Sequence, residues 1–273
     1  MTTARSSDGT PIAYEKSGAG PPLILVDGAL CHRAFGPSRP LADALADHFT
    51  VYTYDRRGRG ESGDTSPYAV EREVEDIKAV IAAAGGSAHV YGISSGAVLA
   101  LEAVDHDAAI ESLALYEPPF IVDDSRPPLA ADYLARLEQL IAADRRGDAV
   151  RLFMRQVGMP AVLVALMRFM PPWRKLKAVA PTLRYDATVM GATQAGEPLP
   201  TDRWSGAAVP TLVVTGGKSE PWMHRGNEQL ADLLPNSERR VLDGQNHMVK
   251  AKALAPLLAE YFAQRAVQPR SMV

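Results

Sequence analysis

Short, continuous apolar runs alternate with longer segments of helical periodicity along most of the chain. The candidate strands cover residues 12–14, 22–26, 50–54, 89–93, 112–116, 210–215 and 239–242, and the run at 22–26 is apolar throughout. Helical patterns lie at about residues 39–48, 70–84, 97–103, 227–234 and 250–264. Continuous apolar runs of this length are typical of strands that are buried on both faces of a sheet. Strands that alternate with helices predict an α/β fold, in which helices flank a mostly parallel central sheet.

The alternation breaks after Glu117-Pro118-Pro119 and resumes at residue 210. The intervening residues are helical by pattern, rich in Pro and Met, and contain no convincing strand. We therefore expect residues 1–119 and 210–273 to form the core domain and residues 120–209 to form a helical cap over it. The tail from Ala266 to Val273 is expected to fray, as chain ends do when nothing ties them down.

The sequence Gly92-Ile93-Ser94-Ser95-Gly96 joins an apolar strand to a helical segment. In that context G-x-S-x-G is the pattern of a nucleophile elbow, a sharp strand-to-helix turn that exposes the serine hydroxyl. The two glycines lack a Cβ and so leave room for the crossing strand and helix. A helix N-terminus also favours developing negative charge. Ser94 is therefore a candidate nucleophile, and the alternative is a turn that only caps the helix.

A serine hydroxyl needs a base within hydrogen-bond reach, and the base needs an orienting acid. His247 is the candidate base because it follows a predicted strand and comes after the serine in the chain. Its alternative role is that of a surface-loop histidine. His32 and His224 lie in loops that could border the site and contact a substrate.

The candidate acids are two glutamates at predicted strand ends. Glu117 ends the strand after the elbow, and Glu220 follows the next strand along the chain. Asp243 shares a loop with the histidine and is badly placed to reach across to its ring. We favour Glu117 because the following Pro118 and Pro119 restrict its backbone, whereas Gly216 and Gly217 loosen the turn before Glu220.

An oxyanion hole needs two preorganised N–H donors. The residue directly after the nucleophile, Ser95, should supply one of them. The other should come from the turn Asp27-Gly28-Ala29-Leu30, which follows an apolar strand, and Ala29 is the expected donor.

Charge and cysteine content narrow the function classes. The formal net charge of −3 provides no basic excess for nucleic acid. The cluster of Arg56, Arg57 and Arg59 lies in a Gly-rich turn, where a structural role is favoured over a phosphate site. Cys31 is the single cysteine, so no intramolecular disulfide can form and no cysteine cluster is available for a metal. We expect neither a metal nor a cofactor, and a small molecule as the substrate.

The first nine residues are polar and lack the apolar core of a signal peptide. The sequence also contains no run of 18 apolar residues that could span a membrane. We therefore expect a cytoplasmic protein without a membrane partner.

Four motifs in order make the chain similar to the α/β-hydrolase superfamily, specifically to its cap-bearing members related to esterases and cofactor-free haloperoxidases. They are Val26-Asp27-Gly28, the turn from Tyr54 to Ser62 with its D-x-R-G-x-G-x-S pattern, Gly92 to Gly96, and Gly244 to His247. The resemblance implies an α/β-hydrolase fold with an inserted cap. It also implies that Ser94 is the nucleophile, that His247 is the base, and that the amides of Ala29 and Ser95 form the oxyanion hole.

The chain departs from this family's pattern at two positions. Asp27 stands where members usually have a histidine before the glycine of the oxyanion turn. The usual acid position, three residues after a strand-end glycine, is occupied by Ser219, and Glu220 is one residue further on. Some relatives, notably haloalkane dehalogenases, carry the acid at the end of the strand after the elbow, and Glu117 occupies that position.

A serine at the elbow favours acyl transfer, because the epoxide hydrolases and haloalkane dehalogenases of this fold use a carboxylate there. The leading hypothesis is a serine hydrolase that cleaves an ester, lactone or thioester through an acyl-enzyme. Two alternatives stay open: a lyase or perhydrolase-type haloperoxidase with the same triad, and a non-catalytic ligand-binding protein.

An apolar cap lining favours a small, mainly apolar substrate over a charged one. For most of the candidate lining residues, a place in the core of the cap itself is the favoured alternative. These residues are Phe153, Met154, Met159, Met167, Phe169, Met170, Trp173 and Met190.

Overall fold

The computed structural model describes residues 2–266. Its strands are β1 (Thr2–Arg5), β2 (Pro11–Ser17), β3 (Pro22–Val26), β4 (Thr50–Tyr54), β5 (Ala88–Ile93), β6 (Ile110–Tyr116), β7 (Thr211–Gly216) and β8 (Ser237–Leu242). Its α-helices are α1 (Ser38–Leu45), α2 (Val70–Ala83), α3 (Ser95–Asp105), α4 (Tyr133–Ala142), α5 (Arg146–Gln156), α6 (Ala161–Met167), α7 (Trp173–Val179), α8 (Leu183–Met190), α9 (Pro221–Leu233) and α10 (Ala251–Ala266).

All eight strands form one sheet in the order β1-β2-β4-β3-β5-β6-β7-β8. The pairs β1–β2 and β2–β4 are antiparallel, and every other neighbouring pair is parallel. The mostly parallel sheet expected from the apolar runs is therefore confirmed. The strands from β3 to β8 all run in one direction, so their carboxyl ends lie along a single edge.

Two layers of side chains cover the faces of the sheet. In β3, Ile24 and Val26 pack into a core that α2 and α3 complete on one face. Leu23 and Leu25 point into a second core, which α1 and α10 complete on the other face. The alternation follows from the two-residue period of a strand, and burial of both sets explains why the run is continuously apolar.

The predicted elements agree with the observed ones except at their ends. The predicted helix at 227–234 begins earlier, because Pro221 occupies its first turn and a proline there removes no intrahelical hydrogen bond. At the C-terminus, α10 continues through Ala266. The predicted fraying concerns the tail beyond it, and residues 267–273 lie outside the described residues.

Five helices, α4 to α8, lie between β6 and β7 and have a hydrophobic cluster of their own. This cluster includes Tyr133, Leu137, Trp173 and Leu183. It also includes Leu30, from the turn after β3, which ties the helical segment to the sheet edge. That residues 120–209 act as a cap domain stays a prediction. No helix within residues 2–266 combines the length and the apolar character that a membrane crossing needs.

Candidate active site

Ser94 lies between β5 and α3 in a strained backbone conformation, with φ of 57° and ψ of −128°. A non-glycine residue in this region costs about 1–3 kcal/mol and persists only where the surrounding structure enforces it. The flanking glycines explain how the turn is held. A Cβ on Gly92 would lie 2.6 Å from the carbonyl oxygen of Gly96, and a Cβ on Gly96 would lie 2.3 Å from that of Val26. The sharp turn predicted from G-x-S-x-G is therefore present.

His247 follows β8, on a loop that the neighbouring strands hold in place. The Tyr116 hydroxyl donates a hydrogen bond to the carbonyl oxygen of Asn246 at 2.8 Å, and the Lys218 amide donates to that of Gln245 at 2.7 Å. A Cβ on Gly216 would lie 2.6 Å from the same Gln245 oxygen. The strand-end glycine thus lets the histidine loop approach the end of β7.

Glu117 has its side chain fully buried at the end of β6 and makes three hydrogen bonds. Its Oε2 lies 2.8 Å from Nδ1 of His247. Its Oε1 accepts a hydrogen bond from the Gly216 amide at 2.7 Å and another from the Ser219 hydroxyl. The backbone at Glu117 is also left-handed, with φ of 47°. The carboxylate is therefore held rigidly, and the hydrogen bond to His247 that was expected of Glu117 is present.

Glu220 and Asp243 make no hydrogen bond with His247 among the described residues. Glu220 precedes α9 and is exposed. Ser219, the position where the family pattern expects an acid, instead donates its hydroxyl to Glu117. From the sequence, Ser219 was only a non-acidic residue at the usual acid position. That its hydroxyl supports the carboxylate of Glu117, at the end of the neighbouring strand, depends on the tertiary structure.

The expected oxyanion donors, Ala29 and Ser95, line one cavity together with Ser94, Glu117 and His247. Within residues 2–266, no protein acceptor takes a hydrogen bond from either amide. The peptide between Gly28 and Ala29 is held from behind, because Nη1 of Arg59 donates to the Gly28 carbonyl oxygen at 2.6 Å. In a trans peptide the N–H points opposite to the C=O. The Ala29 N–H is therefore directed away from Arg59.

The arginines of the Gly-rich turn are fully buried and paired. Arg57 forms an ion pair with Asp76, at 2.7 Å. Arg56 and Arg59 both bind Asp186 of α8, each at 2.8 Å. These contacts support the structural interpretation of the cluster.

Asp186 is a residue that sequence reasoning missed. It also accepts a hydrogen bond from the Ser95 hydroxyl at 2.7 Å, so one carboxylate joins the helical segment to the elbow and the arginine turn. Burial raises the pKa of Asp186, but the charges of Arg59 and Arg56 outweigh it and hold that pKa below its usual value. The sequence evidence for Asp186 was indirect. Three arginines in one buried turn need carboxylate partners, but the sequence did not indicate which acidic residues these are.

Asp27, at the position where relatives usually have histidine, is buried behind the oxyanion turn. Its Oδ1 accepts a hydrogen bond from the Ser38 hydroxyl at 2.6 Å. Burial raises its pKa to about 6, with the Ser38 hydrogen bond and the nearby arginines opposing the shift. Asp27 therefore holds the start of α1 against the turn.

The cavity has a volume of about 320 Å³, which is sufficient for a small ligand. From the apolar residues proposed for the cap lining, it contains Phe153 and Met190. Met154, Met167 and Trp173 instead pack in the core of the helical segment, the alternative favoured for most of these residues, while Phe169 and Met170 are exposed. Neither His32 nor His224 lines the cavity.

Comparison with known proteins agrees with this architecture. The sequence model of the Alpha/beta hydrolase family matches residues 18–256. An alpha/beta hydrolase from Sphaerobacter thermophilus is 53% identical, with a TM-score of 0.88 over 96% of this chain and 100% of that one. A thermophilic esterase from Thermogutta terrifontis shares the fold at 20% identity, with a TM-score of 0.65 over 97% of this chain and 98% of that one.

Among curated proteins, the pimeloyl-[acyl-carrier protein] methyl ester esterase of Xanthomonas campestris pv. campestris is 32% identical over 148 residues. The match covers 48% of this chain and 56% of that protein, so the chain spans about half the length of the curated relatives it matches. The family match, in contrast, runs through the arginine turn, the elbow and the histidine loop. The chain, with its mostly parallel sheet and its serine at the strand-to-helix turn, therefore belongs to the alpha/beta hydrolase family.

Proposed function

We propose that the protein is a serine hydrolase that cleaves a carboxylic ester of a small molecule through an acyl-enzyme. The observation that carries the proposal is the Glu117–His247 hydrogen bond of 2.8 Å, beside a cavity that Ser94 also lines. A buried carboxylate on an imidazole nitrogen is the arrangement that turns histidine into a base. The ester-cleaving relatives support the same reaction class, and the related lactone and thioester substrates need the same chemistry.

The hydrogen bond to Glu117 assigns the protons on the His247 ring. Since Glu117 Oε2 is an acceptor, Nδ1 carries the hydrogen and Nε2 is left free to accept one. In the proposed reaction, Nε2 takes the proton of the Ser94 hydroxyl while Oγ attacks the ester carbonyl carbon. Glu117 then stabilises the imidazolium that forms.

The tetrahedral intermediate carries its negative charge on the former carbonyl oxygen. The Ala29 and Ser95 N–H groups would donate to this oxygen, and an oxyanion donor contributes about 10²- to 10³-fold in rate. Protonated His247 gives its proton to the leaving alkoxide, which departs as the alcohol and leaves the acyl group on Ser94. A water molecule deprotonated by His247 then cleaves the acyl-enzyme, so ester and water become acid and alcohol.

Labelling with a fluorophosphonate, followed by an ester panel, tests the proposal. Wild type should label and should hydrolyse short-chain esters, and Ser94→Ala should do neither. Ser125→Ala is the matched control, since Ser125 is exposed and lies outside the cavity. Equal labelling of wild type and Ser94→Ala would contradict the proposal. Ser94-dependent turnover of a carboxylic acid with peroxide, without ester hydrolysis, would assign the perhydrolase alternative instead.

A further inference from the structure

Arg126 lines the same cavity as Ser94 and His247, although it belongs to the connection between β6 and α4. Its guanidinium carbon lies 4.2 Å from the ring centroid of Trp222, which also lines the cavity. Its Nη2 donates to the carbonyl oxygen of Gln156 at 2.6 Å. These two contacts fix the guanidinium in position and leave its other N–H groups without a protein acceptor among residues 2–266.

Arg126 differs from the other inward-facing arginines in its charge balance. Arg33, Arg56 and Arg57 each form an ion pair with a buried carboxylate. For Arg126, no carboxylate of residues 2–266 lies within 4.0 Å.

The pKa directions of these arginines follow the same division. Burial lowers the pKa of Arg57, but Asp76 outweighs this effect and raises that pKa above its ordinary value. For Arg126, burial lowers the pKa and Glu220 opposes the shift too weakly to reverse it. A half-buried cation without an acid partner is costly, so a cavity that contains one favours an anion.

The other charged side chains that line the cavity do not cancel that preference. Lys218 lines the cavity and has no ion-pair partner among the described residues, while Glu220 supplies one negative charge. The other two carboxylates of the lining, Glu117 and Asp186, already bind His247 and the buried arginines. The accessible side chains thus sum to one positive charge.

We propose that Arg126 forms a carboxylate subsite, so that the ester substrate carries a free carboxylate at the end remote from the scissile bond. The inference rests on the proposed esterase function and adds to it the substrate class. Phe153, Val157 and Met190 line the same cavity and suit the apolar chain between the two ends. The substrate is then apolar in its middle and anionic at one end, which revises the expectation of an uncharged substrate. A guanidinium binds the two charged oxygens of a carboxylate through two parallel N–H donors. A neutral ester group does not offer such a pair of charged acceptors.

The test compares half-esters with their neutral diesters. Monomethyl and dimethyl esters of dicarboxylic acids of increasing length place the carboxylate on the acyl side. Acetate esters of ω-hydroxy acids and their methyl esters place it on the alcohol side. In each series we compare kcat/KM for the compound with the free carboxylate (the half-ester) with kcat/KM for its neutral partner (the diester). For wild type we expect the ratio of the first value to the second to be greatest at one chain length in one of the two series. In Arg126→Gln this ratio should fall at least tenfold, the scale of a charge-assisted hydrogen bond. Arg126→Lys, which keeps the charge but not the paired donors, should lie between them.

Arg136→Gln is the matched control, because Arg136 is an exposed arginine of α4 outside the cavity. Its ratio should equal that of wild type. In wild type itself, the KM for the half-ester should rise with salt while that for the diester does not, since salt screens a partly exposed charge pair. This measurement stands even if the Arg126 variants fold poorly.

Binding to Ser94→Ala separates failure of the subsite from failure of the esterase function. Calorimetry on Ser94→Ala should show tighter binding of the half-ester than of the diester, and the difference should disappear in Ser94→Ala/Arg126→Gln. Equal binding and equal kcat/KM for both compounds in wild type and Arg126→Gln would overturn the subsite while leaving the esterase proposal intact. Preferential half-ester binding to Ser94→Ala, with no turnover of either compound by wild type, would overturn the esterase proposal and leave the subsite intact.

Discussion

Replacing Glu117 with glutamine should inactivate the enzyme, although the two side chains have nearly the same size and shape. Oε1 of Glu117 accepts two hydrogen bonds, from the Gly216 amide and the Ser219 hydroxyl. In the variant, these two donors require the amide oxygen at the same place. The amide NH₂ must then occupy the position of Oε2, which lies 2.8 Å from Nδ1 of His247.

That orientation places a donor against a donor. The His247 ring can relieve the conflict by moving its proton from Nδ1 to Nε2, so that Nδ1 accepts from the amide. Nε2 would then carry a hydrogen and could not take the Ser94 proton. The wrong tautomer, together with loss of the charge that stabilises the imidazolium, is worth about 10³- to 10⁴-fold in kcat. At 1.36 kcal/mol per tenfold, this is about 4–5.5 kcal/mol of barrier.

The assay is steady-state ester hydrolysis by wild type, Glu117→Gln and Glu220→Gln, with thermal unfolding to establish that all three are folded. Glu220→Gln makes the same chemical change at an exposed position without a hydrogen bond to the ring, and it should keep kcat within about threefold of wild type. If Glu117→Gln retained more than a tenth of the wild-type kcat, or if Glu220→Gln were the more damaged variant, the assignment of the acid would be refuted.

Three further predictions follow from the same contacts. His247→Ala should lose at least about 10²-fold in kcat, and full activity in that variant would indicate another base. The raised pKa of Asp27, about 6, favours its protonated form in the folded state, so its contribution to stability is lost as pH rises from about 4 to 6. Urea unfolding measures the free energy of unfolding of each protein. The value for Asp27→Asn minus the value for wild type should increase by up to about 3 kcal/mol between pH 4 and 7, and pH profiles of stability that run parallel for the two proteins would contradict this. Phe153→Ala and Met190→Ala should shift the preferred acyl chain length, whereas Phe169→Ala, at a position 72% exposed, should leave it unchanged.

The sequence alone determined the layout of the fold and the position of the elbow. The runs at residues 22–26 and 50–54 coincide with β3 and β4 because a strand buried on both faces has no polar side to obscure its pattern. Ser94 and His247 could be located because G-x-S-x-G and the loop after a strand are local signals. Between Glu117 and Glu220, the stiffer backbone at the two prolines favoured Glu117, and its role as the acid stays a prediction.

The tertiary structure decided everything that depends on long-range partners. Asp186 binds Arg56 and Arg59 although about 130 residues separate it from them in the chain. No sequence pattern predicts that an acid of α8 will pair with arginines of the turn after β4. Ser219 became a support for Glu117 because β6 and β7 are neighbours in the sheet. The lining of the cavity was likewise beyond sequence reasoning, since a helix with several apolar faces does not reveal which face packs inward. Arg126 could be interpreted only from the tertiary structure, which places it over Trp222 with no carboxylate of the described residues within ion-pair distance, because the cost of a buried charge depends on what surrounds it.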